Sequence, residues 1–234
     1  MKYNVMIVDA HKLDDIAILK GLSGEPLRHL TSECRWRTIG RGGVILDTEM
    51  QSTDVYLLAV GRVRVTIYSP SGREVALRDL GAGESFGELA AIDGSARSAS
   101  VVALEDSIIA ALSREQFWNL LQGQAVVAGN VLKRLAALIR DLTARVVDTT
   151  TLTVPERVRA EIVRLARAAG VKGNRATIKG LPTHADLASR LGATREAVSR
   201  ELARMADAGL IARQGRDLVV ADFEALLEAT AGSA

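Results

Sequence analysis

The chain has 234 residues, of which 48% are hydrophobic and 25% charged, and its formal net charge is +2. This composition is typical of a folded globular protein with room for two domains, and no run reaches the roughly 18 uncharged apolar residues of a membrane span. Charged residues also interrupt the N-terminal apolar run, which excludes a signal-peptide core, so we expect a cytoplasmic protein that does not bind membranes.

Residues that could hold a metal are few and scattered. Cys34 is the single cysteine, which excludes a disulfide framework and an iron–sulfur cluster. The histidines, His11, His29 and His184, show no metal-ligand spacing. Because Cys34 and His29 also lack a spacing that would support axial haem ligation, we expect no metal, haem or cluster.

The positive charge is concentrated towards the C-terminus. Residues 1–149 contain 17 Lys and Arg against 18 Asp and Glu, whereas residues 150–220 contain 13 against 7. An excess of six positive charges in this segment suggests a polyanionic partner, although a solvated basic surface would have the same composition.

Between residues 40 and 112 the pattern is one of short strands and turns. Residues 55–68, VYLLAVGRVRVTIY, alternate between apolar and polar positions in their second half. SPSG at 69–72 predicts a turn, and EVALRDL at 74–80 predicts the returning strand. Since SVVAL and SIIAAL predict further strands, we expect an antiparallel β-roll domain over residues 1–113.

Residues 114–147 contain no proline and predict a long helix with two apolar stripes. One stripe could pack on the sheet and the other on a twin helix. We assign the stripe with coiled-coil spacing to a dimer interface formed by Val131, Leu135, Leu138 and Leu142. The alternative is an amphipathic helix buried within a monomer.

The sequence DTTTLTVPERV at 148–158 interrupts this pattern. Three consecutive threonines disfavour helix, whereas Thr153 and Glu156 form a capping box with Pro155 in the first turn of a new helix. We therefore expect a domain boundary and hinge at residues 148–153, so that residues 114–149 form the long helix and hinge and 150–234 a separate domain.

The last domain contains a helix–turn–helix pattern. We expect a first helix from Thr183 or His184 to Leu191, ended by Gly192, and a second helix over residues 195–208 with Thr194 as its N-cap. LIARQGRDLVVAD then predicts a β-hairpin, so the domain has the pattern of a winged helix–turn–helix.

The second helix leaves polar side chains facing outwards at its N-terminal end. Arginine can bind guanine through two hydrogen bonds and glutamate can accept from cytosine, so an Arg-Glu pair can recognise a G·C step. The predicted DNA-binding residues are Thr183, Thr194, Arg195, Glu196, Ser199, Arg200 and Arg213. The alternative is a charged solvent face with internal ion pairs.

With a β-roll, a long helix and a winged helix–turn–helix in this order, the chain resembles the CRP/FNR family of bacterial transcription regulators over nearly its whole length. GESFGELAAIDGSARSASV at 83–101 is similar to the cassette that binds a cyclic nucleotide, and TREAVSR at 194–200 is similar to the recognition helix. The resemblance implies an α+β homodimer that binds double-stranded DNA and RNA polymerase. No catalytic motif is present, so we expect no enzyme.

The resemblance also implies the roles of the cassette residues. Arg97 and Ser98 would bind the phosphate, Glu88 would accept from the ribose 2′-OH, and Gly87 would let the backbone approach the sugar. Leu89 and Ala99 complete this set. The alternative is a loop stabilised by an internal Glu88–Arg97 pair.

The base-binding half departs from the family pattern. A Thr-Ser pair on the long helix contacts adenine in cyclic-AMP-responsive members, and spacing places Leu142 and Thr143 at these positions. An arginine one turn earlier appears as Leu138. The resemblance still makes cyclic AMP our first choice of effector, and cyclic GMP is our second.

These observations favour a regulator gated by a cyclic nucleotide that recognises a palindrome of TGTGA-like half-sites. One alternative is a constitutive DNA-binding regulator with a vestigial pocket. The other is a cyclic-nucleotide-binding module whose C-terminal domain binds a protein partner, which the salt dependence of binding distinguishes from DNA.

Overall fold

The computed structural model describes residues 13–68 and 74–231, which form two compact units. The first unit extends to Arg140 and the second begins at Asp141. His11 and the predicted turn at residues 69–72 lie outside the described residues.

In the described part of the first unit, eight strands form two four-stranded antiparallel sheets, as the alternating pattern predicted. Their orders are β1-β8-β3-β6 and β2-β7-β4-β5. The strands are β1 (Arg35–Ile39), β2 (Val44–Leu46), β3 (Val55–Val60), β4 (Arg62–Tyr68), β5 (Glu74–Gly81), β6 (Ser85–Phe86), β7 (Ser100–Ala103) and β8 (Ser107–Leu112).

Helices precede, interrupt and follow these strands. They are a 3-10 helix (Ala17–Leu19), α1 (Glu25–Glu33), α2 (Glu88–Asp93), α3 (Arg114–Gly123) and α4 (Ala125–Thr151). The long helix predicted over residues 114–147 is thus two helices, with the break at Gln124. The last of them, α4, carries residues of both compact units.

The predicted end of the long helix at residue 147 is wrong, because the three threonines continue α4. Their hydroxyls donate to carbonyl oxygens three or four residues earlier in the helix, for example from Thr149 to Arg145 at 2.7 Å and from Thr151 to Val147 at 2.8 Å. These bonds occupy hydroxyls that could otherwise form hydrogen bonds favouring a non-helical backbone.

Strand β3 is buried on both faces. Val55 and Leu57 pack in an apolar cluster with the helices of the first unit, whereas Tyr56 and Leu58 pack between the two sheets. The period of two in a strand separates these two sets. Strand β6, which leads into the cassette, therefore pairs with a strand that is packed on both faces.

The dimer interface predicted on α4 is wrong for Val131, and for Leu135, Leu138 and Leu142 it stays a prediction. Val131 is buried in the core of its own chain, and Leu135 packs against the same core. A different stripe is uncovered: Leu132, Ile139 and Val146 are 67%, 64% and 64% exposed. Periodicity showed two stripes, but packing decides which of them the β-roll unit covers.

The second unit is the expected winged helix–turn–helix. A three-stranded antiparallel sheet in the order β10-β11-β9 packs with four helices. Its elements are α5 (Val154–Ala169), β9 (Ala176–Ile178), α6 (His184–Leu191), α7 (Arg195–Asp207), β10 (Ile211–Gln214), β11 (Asp217–Val220) and α8 (Phe223–Ala231).

The helix ends form as predicted. Thr153 and Glu156 make the capping box of α5. Gly192, with φ of 58°, ends α6, and the hydroxyl of Thr194 accepts from the N–H of Ala197 at 3.2 Å to cap α7. These caps fix the turn between α6 and α7, and so they fix where the recognition helix begins.

Candidate functional site

The turn from β6 into α2 requires glycine at position 87. Gly87 has φ of 86°, and a Cβ there would lie 2.8 Å from the Asp54 carbonyl oxygen and 2.9 Å from Nη1 of Arg97. The close approach and the left-handed backbone both exclude a larger side chain. Glycine at this point brings the first turn of α2 against the roll.

Arg97 is buried and bound to the turn that it faces. Its side chain is 5% exposed; Nη1 donates to the Gly87 carbonyl at 2.9 Å and Nη2 to the Asp54 carbonyl at 2.8 Å. Nη2 also donates to the Ser52 hydroxyl at 3.0 Å, and the guanidinium lies 5.9 Å from the Tyr56 ring centroid. Burial lowers the pKa of Arg97, but a guanidinium stays charged in proteins.

Glu88 is equally buried and pairs with a residue that sequence analysis missed. Its Oε1 lies 3.4 Å from Nε of Arg134 on α4, and Nη2 of Arg134 donates to the Ser85 carbonyl at 2.6 Å. The expectation that Leu138 marks the arginine position is therefore wrong, because the arginine at the cassette comes one helical turn earlier. Glu88 pairs with Arg134, whereas Arg97 bonds to two backbone carbonyls and the Ser52 hydroxyl.

Four buried polar atoms of the described roll have no hydrogen-bond partner. They are Nε of Arg97 and the hydroxyl oxygens of Ser85, Ser100 and Thr66. Thr66 and Ser100 are paired across β4 and β7. A buried polar group without a partner costs about 1–3 kcal/mol, and two of the four, Nε of Arg97 and the Ser85 hydroxyl, belong to the cassette and could donate to oxygens of an anionic ligand.

The remaining residues predicted for the ligand differ in burial. Ala99 is half-buried, whereas Leu89 and Ser98 are exposed. Leu142 and Thr143 belong to the second compact unit. Their contact with a nucleotide base stays a prediction.

The predicted DNA-reading side chains lie on exposed surface of α7 and β10. Arg195, Glu196 and Arg200 are exposed on α7, and Arg213 is exposed on β10. Within the described residues these four side chains have no ion-pair partner, so the alternative of a face neutralised by internal pairs is not what the structure contains.

The hydroxyl groups of the predicted interface have partners within the unit. Those of Thr183 and Thr194 accept from backbone N–H groups as helix caps. The Ser199 hydroxyl is half-buried and lies 2.7 Å from Nδ1 of His184. The two threonines therefore position helix N-termini, and the charged side chains remain available for bases and phosphates.

A buried ion pair holds the recognition helix on α5. Glu201 is 2% exposed, and its Oε1 accepts from Nη1 of Arg159 at 2.6 Å. A carboxylate within a charged helix is usually solvated, so residue type alone does not indicate this pair. Its signal was the helical position, because Glu201 shares the inward face with Val198, Leu202 and Met205.

Arg164 of α5 joins the end of α4 to α5 within the second unit. It pairs with Asp148 on α4 and with the buried Glu161 on its own helix. Of the residues predicted to form the hinge, 148–151 are thus the last turn of α4, and the break between α4 and α5 is confined to Leu152 and Thr153.

Among the described residues, no helix is both long and apolar enough to cross a membrane. In the same part of the chain, no group of three or more His, Cys, Asp and Glu side chains is placed to hold a metal ion.

Comparison with known proteins assigns the two units to known domain types. Residues 36–124 match the cyclic nucleotide-binding domain, and residues 156–229 match the Crp-like helix-turn-helix domain. The cyclic AMP receptor protein of Thermus thermophilus is 35% identical over 74% of this chain and 77% of its own length.

Two further comparisons cover almost the whole chain. The CRP-like cAMP-activated global transcriptional regulator of Mycobacterium tuberculosis is 25% identical over 89% of this chain and 94% of its own. The structure of a CooA mutant from Carboxydothermus hydrogenoformans has the same fold, with a TM-score of 0.79 and 24% identity over 92% and 95% of the two chains. The chain therefore belongs to the CRP/FNR family of bacterial transcription regulators, which are not enzymes.

Proposed function

We propose that this protein is a homodimeric, sequence-specific DNA-binding regulator whose affinity for its operator is controlled by a cyclic nucleotide at residues 87–99. The buried Arg97 and Glu88, beside polar atoms that lack partners, carry the proposal. The exposed charged side chains of α7 in the same chain would bind the operator. Because its partner is the bacterial chromosome, the site of action is the cytoplasm.

The chemistry of a cyclic phosphate matches the surroundings of Arg97. Its guanidinium now donates to neutral carbonyl oxygens, and a phosphate would replace these with a charged acceptor and stronger hydrogen bonds. Ser98 would contribute its exposed hydroxyl, and Glu88 would accept from the ribose 2′-OH. Cyclic AMP is the first choice because the relatives from Thermus thermophilus and Mycobacterium tuberculosis are named for it.

The base-binding end of the pocket is expected to discriminate weakly. Leu142 and Thr143 offer one hydroxyl at the positions predicted by spacing. Counting one turn onwards from Arg134 instead gives Leu138 and Ile139, which offer none. A site that does not hydrogen-bond its ligand distinguishes close analogues poorly, so cyclic GMP remains the second choice.

Coupling between nucleotide and DNA requires a contact that differs between two states of the protein. Glu88 supplies one, since the carboxylate that would bind the ribose already holds Arg134 of α4. Nucleotide binding therefore changes the charge environment of α4. That change is how we expect the ligand to act on DNA binding.

The exposed stripe of α4 fits a twin helix. Leu132, Ile139 and Val146 repeat every seven residues and are all exposed in the single chain, as a coiled-coil contact requires. A dimer would present two recognition helices about 34 Å apart to successive major grooves. We expect it to recognise an inverted repeat of TGTGA-like half-sites and to contact RNA polymerase from the bound DNA.

A second candidate function is a constitutive DNA-binding regulator. One observation favours it: Arg97 and Glu88 both have partners within the chain, so part of the pocket is satisfied without a nucleotide. A third, a cyclic-nucleotide module with a protein partner, predicts binding that depends weakly on salt, whereas DNA binding weakens steeply as salt rises.

Isothermal titration calorimetry with cyclic AMP and cyclic GMP tests the proposal. We expect heat with wild type and with Arg37→Ala, an exposed arginine on β1 that serves as the control. Arg97→Ala should lose the heat, because it removes the cation that binds the phosphate. Salt-dependent DNA binding by a wild type that takes up neither nucleotide would favour the constitutive regulator instead.

A further inference from the structure

A histidine at the start of α6 contacts the recognition helix. His184 is half-buried, and its Nδ1 lies 2.7 Å from the Ser199 hydroxyl oxygen on α7. Ser199 follows Arg195 by one helical turn, so both are on the side of α7 predicted to meet DNA. In a helix–turn–helix the first helix crosses the DNA backbone while the second enters the groove, which places His184 where a phosphate would pass.

Two arginines from other elements act on this imidazole. Burial lowers the pKa of His184, and the positive charges of Arg213 on β10 and Arg195 on α7 lower it further. On its own helix, the Asp186 carboxylate accepts from the Thr183 N–H at 3.2 Å. In the free protein, burial and these two arginines therefore favour the neutral imidazole, and the same two arginines would attract an anion.

The presence of a hydrogen on Nδ1 of His184 decides whether the Ser199 hydroxyl donates or accepts in this contact. When Nδ1 carries no hydrogen, the Ser199 hydroxyl donates to it. When the ring is protonated, Nδ1–H donates to the Ser199 oxygen instead. The hydroxyl hydrogen of Ser199 is then free to point at an acceptor on DNA.

We propose that His184 is a further DNA-contacting residue, which binds a backbone phosphate together with Arg213 and takes up a proton as it does so. In the tautomer of the neutral ring that has its hydrogen on Nε2, the proton goes to Nδ1 and frees the Ser199 hydroxyl to donate towards DNA, while Arg195 stays available for a base. This inference rests on the proposed DNA binding. It identifies the group that makes operator affinity depend on pH.

The direction in which pH changes the DNA affinity follows from the charges. A phosphate beside His184 raises its pKa in the complex above that in the free protein. The extra affinity is thus fully present below the free pKa, which lies below its ordinary value, and is lost as pH rises through the higher pKa of the complex. Uptake of one proton per subunit changes affinity by at most about tenfold per pH unit for each subunit.

Fluorescence anisotropy with the full chain tests this between about pH 5.5 and 8.5, at fixed ionic strength and saturating cyclic AMP. The probes are a duplex with an inverted TGTGA repeat and a scrambled duplex of equal length. We expect wild type to bind both more tightly as pH falls, since phosphate contacts are independent of sequence. His184→Gln should lose most of this dependence, and the control His29→Gln, an exposed histidine of the first unit, should keep it.

Equal pH dependence in wild type and His184→Gln would overturn the inference. A second measurement does not need the variant to fold: the NMR titration of the His184 ring in wild type, with and without duplex. A pKa that stays the same or falls on DNA binding would also overturn it. Absence of duplex binding at every pH would instead remove the proposed function, and this inference with it.

Discussion

The contribution of the ion pair between Arg134 and Glu88 to the free energy of unfolding can be measured. Their side chains are 16% and 7% exposed. Removing Arg134 leaves the Glu88 carboxylate buried without this partner, which costs about 3 kcal/mol, whereas removing Glu88 leaves Arg134 with a second carboxylate, Oε1 of Glu84 at 3.6 Å. Arg134→Met should therefore destabilise the first unit by about that amount, and Glu88→Met by about 2–3 kcal/mol. The double variant places two apolar side chains together and should cost only about 1–2 kcal/mol, for the lost bond to the Ser85 carbonyl and the lost pair with the partly exposed Glu84.

Urea unfolding followed by tryptophan fluorescence measures these values, because Trp36 and Trp118 both belong to the first unit. All variants are compared at one protein concentration, since a dimer's stability depends on it. Lys133→Met, at an exposed neighbouring position on α4, is the control. Additive costs in the double variant would refute an energetic link between Glu88 and Arg134, and the proposed coupling would lose its basis.

Three further predictions address the turn, the dimer and the base contact. Gly87→Ala should cost about 2 kcal/mol in the same unfolding assay, because its φ is positive and a Cβ would press on the Asp54 carbonyl; wild-type stability would contradict this. Ile139→Glu should yield monomers by size-exclusion chromatography with light scattering, whereas Ala137→Glu, on another face of α4, should remain dimeric. Arg195→Ala should relax preference at one G·C pair by about 1–3 kcal/mol in band-shift competition, and a uniform loss across all operator variants would show that Arg195 reads no base.

Local signals in the sequence predicted most of the cassette and of the DNA-binding unit. Gly87 and Glu88 are adjacent, Arg97 follows nine residues later, and one short loop brings them together. In the same way, Gly192 and Thr194 fix the turn before α7 within a few residues. Where the deciding contacts are close in sequence, residue type and spacing determine the structure.

Contacts between distant elements were harder to predict. Arg134 was missed because its facing direction depends on how α4 packs on the roll, which spacing along the chain does not give. Val131 was misassigned for the same reason: an apolar stripe needs a cover, and the core of the β-roll unit provides one for this stripe. The pair between Glu201 and Arg159 was not predicted, because 42 residues separate the two partners.

The charged contacts suggest how a signal at the cassette can travel. Arg134 links α4 to Glu88 in the first unit, while in the second unit Arg164 of α5 pairs with Asp148 of the same α4. Each contact can be made or broken, and such two-state contacts are what a ligand can bias. If the double variant of Glu88 and Arg134 binds DNA with an affinity that no longer responds to cyclic AMP, the signal enters α4 through this pair. If the response persists, the nucleotide acts on α4 by another route, and the buried pair only stabilises the fold.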